Sequence, residues 1–157
     1  VGNVPLHANR IVKLLLENHH IIPNIEFVKP EYKYGESRLD FYVKTNDDED
    51  IYIEVKSVHI KKGNTAIFPV GYLKPKAITV SERANKHVKE LTHIAESNRN
   101  AMIIFVIQRD DCIDFKPNED TDKVFTELLN NAKQKGVIVK QVYTQVNEHG
   151  IFLKHIV

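Results

Sequence analysis

Hydrophobic positions change their period several times along the chain, and each change marks an element. Over 5–18 (PLHANRIVKLLLEN), Ala8, Ile11, Val12 and Leu15 recur at three- and four-residue steps. That spacing predicts a helix with one buried stripe, and Asn18 supplies a stop. The stretch 25–34 reads as extended; Pro30 lies inside it and has no N–H to give a ladder, so an edge or interrupted strand is expected. Alternation then takes over. In 37–44 (SRLDFYVK), Leu39, Phe41 and Val43 share one side while Arg38, Asp40 and Tyr42 share the other. In 51–58 (IYIEVKSV), Ile51, Ile53 and Val55 oppose Tyr52, Glu54, Lys56 and Val58. The polar link 45–50 (TNDDED) joins these runs into an antiparallel hairpin.

Residues 59–78 carry Gly63, Pro69, Gly71 and Pro75 and read as loop. Thr79-Val80-Ser81-Glu82 has capping-box spacing and opens a helix over 79–98, with Ala84, Val88, Leu91 and Ala95 as its core stripe. The unbroken apolar run 101–107 (AMIIFVI) predicts a central strand buried on both faces. A third helix over 121–135 turns Val124, Phe125, Leu128, Leu129 and Ala132 inward and stops at Gly136. Two further strands follow at 137–143 and 151–156. The order is α, β, β, β, α, β, α, β, β, which predicts an α/β fold: a mixed β-sheet flanked by helices.

Composition narrows the functional classes. The chain has 157 residues, 42% of them hydrophobic, enough for one domain with a real core. No run approaches the ~18 apolar residues that span a membrane. Its one cysteine, Cys112, excludes an internal disulfide and a cysteine-built zinc site, and points to a reducing, cytoplasmic compartment. Val1-Gly2-Asn3 has neither a Met nor the basic and apolar regions of a signal peptide. It reads as an internal cut, so a single domain over 1–157, taken from a longer protein, is expected.

Net charge is only +1, so polyanion binding requires local asymmetry. Residues 56–99 supply it, with nine Lys and Arg against three Glu. Lys61, Lys62, Arg83 and Lys86 are the candidate nucleic-acid contacts, joined by Arg38 from the hairpin. The competing reading is a solvated face with Glu82–Lys86 and Lys86–Glu90 as helix pairs. His19-His20 follow a helix end and suit its dipole. The acidic run 47–50 reads as a solvated turn, since it lacks calcium-loop spacing.

The hairpin holds the chemistry. Registers pairing Asp40 with Glu54, or Asp40 with Lys56, both gather these three side chains on one face beside Tyr42 and Tyr52. Adjacent carboxylates repel unless something compensates, and a divalent cation with retained waters, Mg²⁺ or Mn²⁺, does so. A lysine two residues along reaches the same spot and can steer water or offset charge on a phosphate. Together these parts describe metal-assisted phosphodiester hydrolysis, with a backbone carbonyl near Val55 as a further ligand. Glu17 of the first helix and Glu82 of the second are additional candidates for the site. A purely structural ion-pair cluster is the alternative.

The strings SRLDF (37–41), IEVKSV (53–58), AIFP (66–69), SERANKHVKEL (81–91) and IIFVIQRDDCIDFKPNEDTD (103–122) resemble the sugar fermentation stimulation protein (SfsA) family. The opening VGNVPLHANRIV is similar to the segment of that family after its N-terminal OB-like, nucleic-acid-binding domain. The resemblance implies a PD-(D/E)xK nuclease domain of restriction-endonuclease-like fold. It assigns Asp40 as the D, Glu54 as the (D/E) and Lys56 as the K, with DNA as the first substrate and RNA as the second. It also leaves open a non-catalytic DNA-binding regulator of sugar metabolism. One departure stands out. The family pattern has an acidic residue after the FP of AIFP; here Val70 follows Pro69, and the loop up to SER is longer.

Overall fold

A computed structural model describes residues 5–71, 74–147 and 149–157. The helix expected first is α1 (Pro5–Glu17), followed by strands β1 (Ile25–Tyr34), β2 (Ser37–Thr45) and β3 (Asp50–Val58). Short strands β4 (Ile60–Lys62) and β5 (Thr65–Phe68) come next, then α2 (Glu82–Glu96), β6 (Asn100–Ile107) and β7 (Asp114–Pro117). The chain continues through α3 (Lys123–Gln134), β8 (Ile138–Asn147) and β9 (Gly150–Ile156).

Six strands form one sheet in the order β1-β2-β3-β6-β8-β9. β1, β2 and β3 are antiparallel; β6 runs parallel to β3, β8 runs parallel to β6, and β9 returns antiparallel. Parallel neighbours need long crossovers, and α2 and α3 lie in two of them. Both helices pack on the same face, where Val88, Leu91, Ile94, Phe125, Leu129 and Ala132 meet Tyr52, Ile103, Phe105 and Ile107. α1 covers the other face, with Ala8, Val12, Leu15 and Leu16 against Phe41, Val43, Ile51, Ile53, Val55, Ile104 and Val106. Covered on both sides, β6 buries every residue from Ala101 to Ile107, as its unbroken apolar run requires. Each of its large side chains contributes about 2 kcal/mol of burial. The mixed sheet flanked by helices is the architecture the hydrophobic pattern predicts, and it agrees with the restriction-endonuclease-like fold that the family resemblance implies.

Four details differ from the sequence expectations. The 59–78 region is not simply loop, because β4 and β5 join β7 in a second, three-stranded sheet. Strands of three or four residues with one turn glycine, Gly63, leave almost no periodic signal. Leu39 does not share the face of Phe41 and Val43; it is buried with Tyr42 and Tyr52 on the α2 side. The strand therefore changes parity around Asp40. α2 is capped by Ser81, which accepts from the Ala84 amide, and not by Thr79. Thr79 instead gives its hydroxyl hydrogen to Asp122 Oδ2 at 2.6 Å and accepts from Asn85 Nδ2 at 2.8 Å. α3 begins two residues later than expected, behind Asp122 as its N-cap.

Asp122 is fully buried. One oxygen caps α3 by accepting from the Phe125 amide, and the other accepts from the Val80 amide and the Thr79 hydroxyl. It ties the entry of α2 to the start of α3. Replacing it strips a helix cap and leaves buried donors unpaired, so Asp122→Ala is expected to cost about 3 kcal/mol. A urea denaturation series on parent and variant measures this; a loss below about 1 kcal/mol refutes the assignment.

Candidate active site

Ladder pairing between β2 and β3 runs from Lys44↔Asp50 to Phe41↔Ile53 and then stops. One step further, Asp40 and Glu54 come opposite each other, the first of the two registers allowed by the sequence. Past this point β3 has no backbone partner on its β2 side, so the Val55 amide needs another acceptor. Asp40 supplies it: its Oδ2 accepts from Val55 N at 2.7 Å. Its Oδ1 accepts from Asn9 Nδ2 of α1 at 3.1 Å. Asp40 thus sits at the opening between the strands, and this accounts for the parity change that sends Leu39 to the other face.

Glu54 and Lys56 point to the α2 side. Glu54 is 2% exposed. His87 of α2 comes down on both side chains, with its Nδ1 2.9 Å from Lys56 Nζ and 2.6 Å from Glu54 Oε2. Despite that short approach, Glu54 Oε2 has no hydrogen-bond partner, so the contact is one of proximity only. A single ring nitrogen cannot serve an ammonium donor and a carboxylate acceptor at once. Burial, with Lys56 and Arg83 nearby, pushes His87 down to about 4, so the ring is neutral near pH 7. Its Nδ1 then accepts from Lys56.

Electrostatics concentrate in this cluster. Burial first, then the neighbouring Glu54, pushes the Asp40 carboxyl up to about 7, against the opposing pull of the Val55 amide and Asn9. Burial holds Lys56 below the ordinary lysine range. Two close carboxyl groups, one with a buried oxygen lacking a donor, make a site that gains from a hard cation. Among the described residues no group of three or more His, Cys, Asp or Glu forms a metal cluster. Asp40 and Glu54 are the carboxyl groups the cleft offers to a cation.

These groups line a cleft of about 420 Å³, together with Ser57, His59, Phe68 and Arg83. Of the sequence candidates, Asp40, Glu54, Val55, Lys56 and Arg83 are brought together there. Arg38 is exposed on β2 and is not among the lining residues. Glu17 is exposed at the end of α1, eight residues beyond Asn9, the residue α1 actually contributes. Glu82 and Lys86 face a separate surface cavity with Tyr34 and Ile78. Lys61 joins Arg109 on Asp111, at 2.7 Å and 2.8 Å, and Lys62 pairs with Asp120 at 2.8 Å. The Lys62 pair is exposed and weak; the Lys61 pair belongs to a three-residue network. Val70, at the departure from the family pattern, is exposed, while Phe68 two residues earlier lines the cleft. Sequence reasoning gave His87 no role and passed over Asn9. The signal for His87 was its place between Ala84 and Leu91 on the buried stripe, where a polar ring needs a partner.

The model for the sugar fermentation stimulation protein RE domain matches residues 6–150. The chain belongs to the SfsA family. It is 38% identical over 140 residues to a sugar fermentation stimulation protein homolog of Ruminiclostridium cellulolyticum, covering 89% of this chain and 58% of that protein. A homolog from Clostridium beijerinckii is 34% identical over 147 residues, covering 94% of this chain and 61% of the relative. The chain thus spans about three fifths of the length of these relatives. Among solved structures, Pyrococcus furiosus SfsA in complex with Ca²⁺ superposes with a TM-score of 0.85 at 25% identity, over 97% of this chain and 63% of the other.

The raised Asp40 sets a pH dependence for this SfsA chain. Its ordinary value is 3.8 and its folded value about 7, so ionising it costs the folded state. The stability tied to this proton is complete below about pH 4 and is lost as pH rises through 7. Asp40→Asn removes that cost. Its melting temperature in chelator should exceed the parent's by several degrees near pH 8, with the gap closing towards pH 4. Parallel melting curves across that range would contradict the assignment.

Proposed function

We propose that the chain is a Mg²⁺- or Mn²⁺-dependent nuclease domain that hydrolyses phosphodiester bonds of DNA, with RNA as a secondary substrate. The observation that carries this reading is the convergence of Asp40, Glu54 and Lys56 in one cleft, with a buried Glu54 oxygen that no donor satisfies. Asp40, Glu54 and the Val55 carbonyl would hold the ion. When bound, the ion supplies Lewis-acid stabilisation of the phosphate and a water of lowered pKa.

The chain's own residues do the rest. Asp40 releases its proton for ligation, which couples ion affinity to pH. Asn9 and the Val55 amide fix the Asp40 oxygens, so the carboxylate is oriented before any ligand arrives. Lys56, held through His87, presents Nζ beside the carboxylates to orient the attacking water. Arg83 brings a fixed positive charge to the phosphate. Lys86 and Lys89, further along the exposed surface of α2, steer the backbone toward the cleft. The Pyrococcus relative is a complex with Ca²⁺, which supports divalent-ion binding by this chain. No helix among the described residues is long and apolar enough to cross a membrane, and the lone buried thiol of Cys112 suits a reducing, cytoplasmic setting.

Two measurements test the reading. In calorimetric titration the parent should bind Mn²⁺, while Asp40→Ala and Glu54→Ala should not; variants that bind like the parent end the metal assignment. Lys56→Ala should retain the ion yet cut labelled DNA at least about a hundredfold more slowly, and chelator should abolish cutting by the parent. DNA retention without strand scission at any metal concentration would instead identify a non-catalytic DNA-binding regulator.

A further inference from the structure

The cleft extends past the carboxylates along the side of β3 that β2 leaves unpaired, and two more polar residues border it there. Ser57 and His59 both line the cleft, and both carry a buried polar atom without a partner: Oγ of Ser57 and Nδ1 of His59. They are two residues apart, the spacing that puts side chains of an extended chain on one side, here the side of Val55 and not that of Glu54 and Lys56, so the cleft is bordered from both faces of β3. An unpaired buried hydroxyl or imidazole nitrogen is destabilising. Two of them in one recess are a standing cost that a ligand would relieve.

Their backbone is firmly held. The Val58 carbonyl accepts from the Gln108 amide at 2.8 Å, and the His59 carbonyl accepts from Arg109 Nη1 at 3.3 Å. Arg109 is itself forked onto Asp111 through two 2.8 Å bonds, and Lys61 closes on the same carboxylate. The Lys61–Asp111–Arg109 network therefore acts as a brace under His59. With the main chain pinned on one side, both residues are held at the border of the cleft before anything binds.

The chemistry of the recess selects the ligand. A hydroxyl and an imidazole N–H can both donate, and Arg83 adds a cation to the same cleft. Donors beside a cation suit an anionic oxygen. Ser57 lies about 10 Å along the strand from Glu54, too far to share the reacting phosphate and within reach of its neighbours.

We infer that Ser57 and His59 form a second phosphate subsite, which seats a backbone phosphate flanking the one that is cut. The inference rests on the nuclease reading for the ligand's identity, but the subsite acts in binding and needs no metal. It fixes the register of the strand across the carboxylates, so that the intended linkage sits over Glu54.

The test is a binding cycle in chelator, with the intact chain and a fluorescent DNA strand followed by anisotropy. Ser57→Ala/His59→Ala should bind about tenfold more weakly than the parent. Replacing phosphates one at a time by uncharged methylphosphonates should reveal a linkage whose neutralisation weakens the parent about tenfold and the double variant not at all. Equal affinity of parent and double variant overturns the subsite. So does a methylphosphonate penalty that survives in full in the variant, or a loss that follows base sequence instead of backbone charge. His59→Gln, which keeps a donor, should recover part of the affinity at the parent's melting temperature, separating a lost contact from a damaged fold. A parent that shows the cycle but never cuts with Mn²⁺ retains the subsite and loses the nuclease reading. A parent that cuts while the double variant binds normally does the reverse. A parent that holds no DNA overturns both.

Discussion

Where β2 stops pairing with β3, the Val55 amide would be a donor with nothing to receive it. The protein answers with a side chain, and the rest of the cleft follows from that substitution. Because Asp40 must turn toward Val55, its carboxyl ends beside Glu54 in a partly desolvated place. Because Glu54 is buried under α2, His87 and Lys56 are gathered around it. Each member of the cluster is less comfortable than it would be in water: Asp40 gives up its proton less readily, Lys56 more readily, and His87 is harder to protonate. The apolar layers on both sides of β6 supply the stability that lets this strain persist.

Much of this was legible in the sequence, for identifiable reasons. Period-2 alternation in 37–44 and 51–58 defined the hairpin, and Asp40 with Glu54 and Lys56 came with it. The unbroken apolar run of β6 and the stripes of α2 and α3 fixed the layers. What was hidden depended on tertiary context. Leu39 breaks its parity only because Asp40 is diverted to Val55, and no local pattern announces that. Thr79 looked like a cap, but the buried Asp122, forty-three residues later, claims its hydroxyl. Asn9 follows directly on the stripe residue Ala8 and reads as an ordinary helix-surface amide until the sheet opens beside it.

Charge shows the same limit. Counting Lys and Arg over 56–99 gave a strongly positive segment, yet its members do different things in space. Lys56 is drawn into the cluster, Lys61 braces the β3–β4 junction and Lys62 faces Asp120. The remaining exposed cations of the segment then include Lys74 and Lys76 ahead of α2 and Arg83, Lys86 and Lys89 on it, the helix sharing them with Glu82, Glu90 and Glu96. A run of like charges sets a sum, whereas the potential at a surface depends on which acids the fold brings alongside.

The second sheet separates two tasks that could have been entangled. β4, β5 and β7 extend beyond the ends of β3 and β6, while Asp40, Glu54 and Lys56 belong to the large sheet alone. The chain leaves the small sheet at Phe68, two residues before the Val70 departure, and α2 begins at Glu82. Phe68 at that exit borders the cleft, while Asp40 and Glu54 stand on strands of the other sheet. The shape of the cleft border and the carboxylate cluster are in this sense inherited on different pieces of backbone, and related proteins are free to diverge in one while preserving the other.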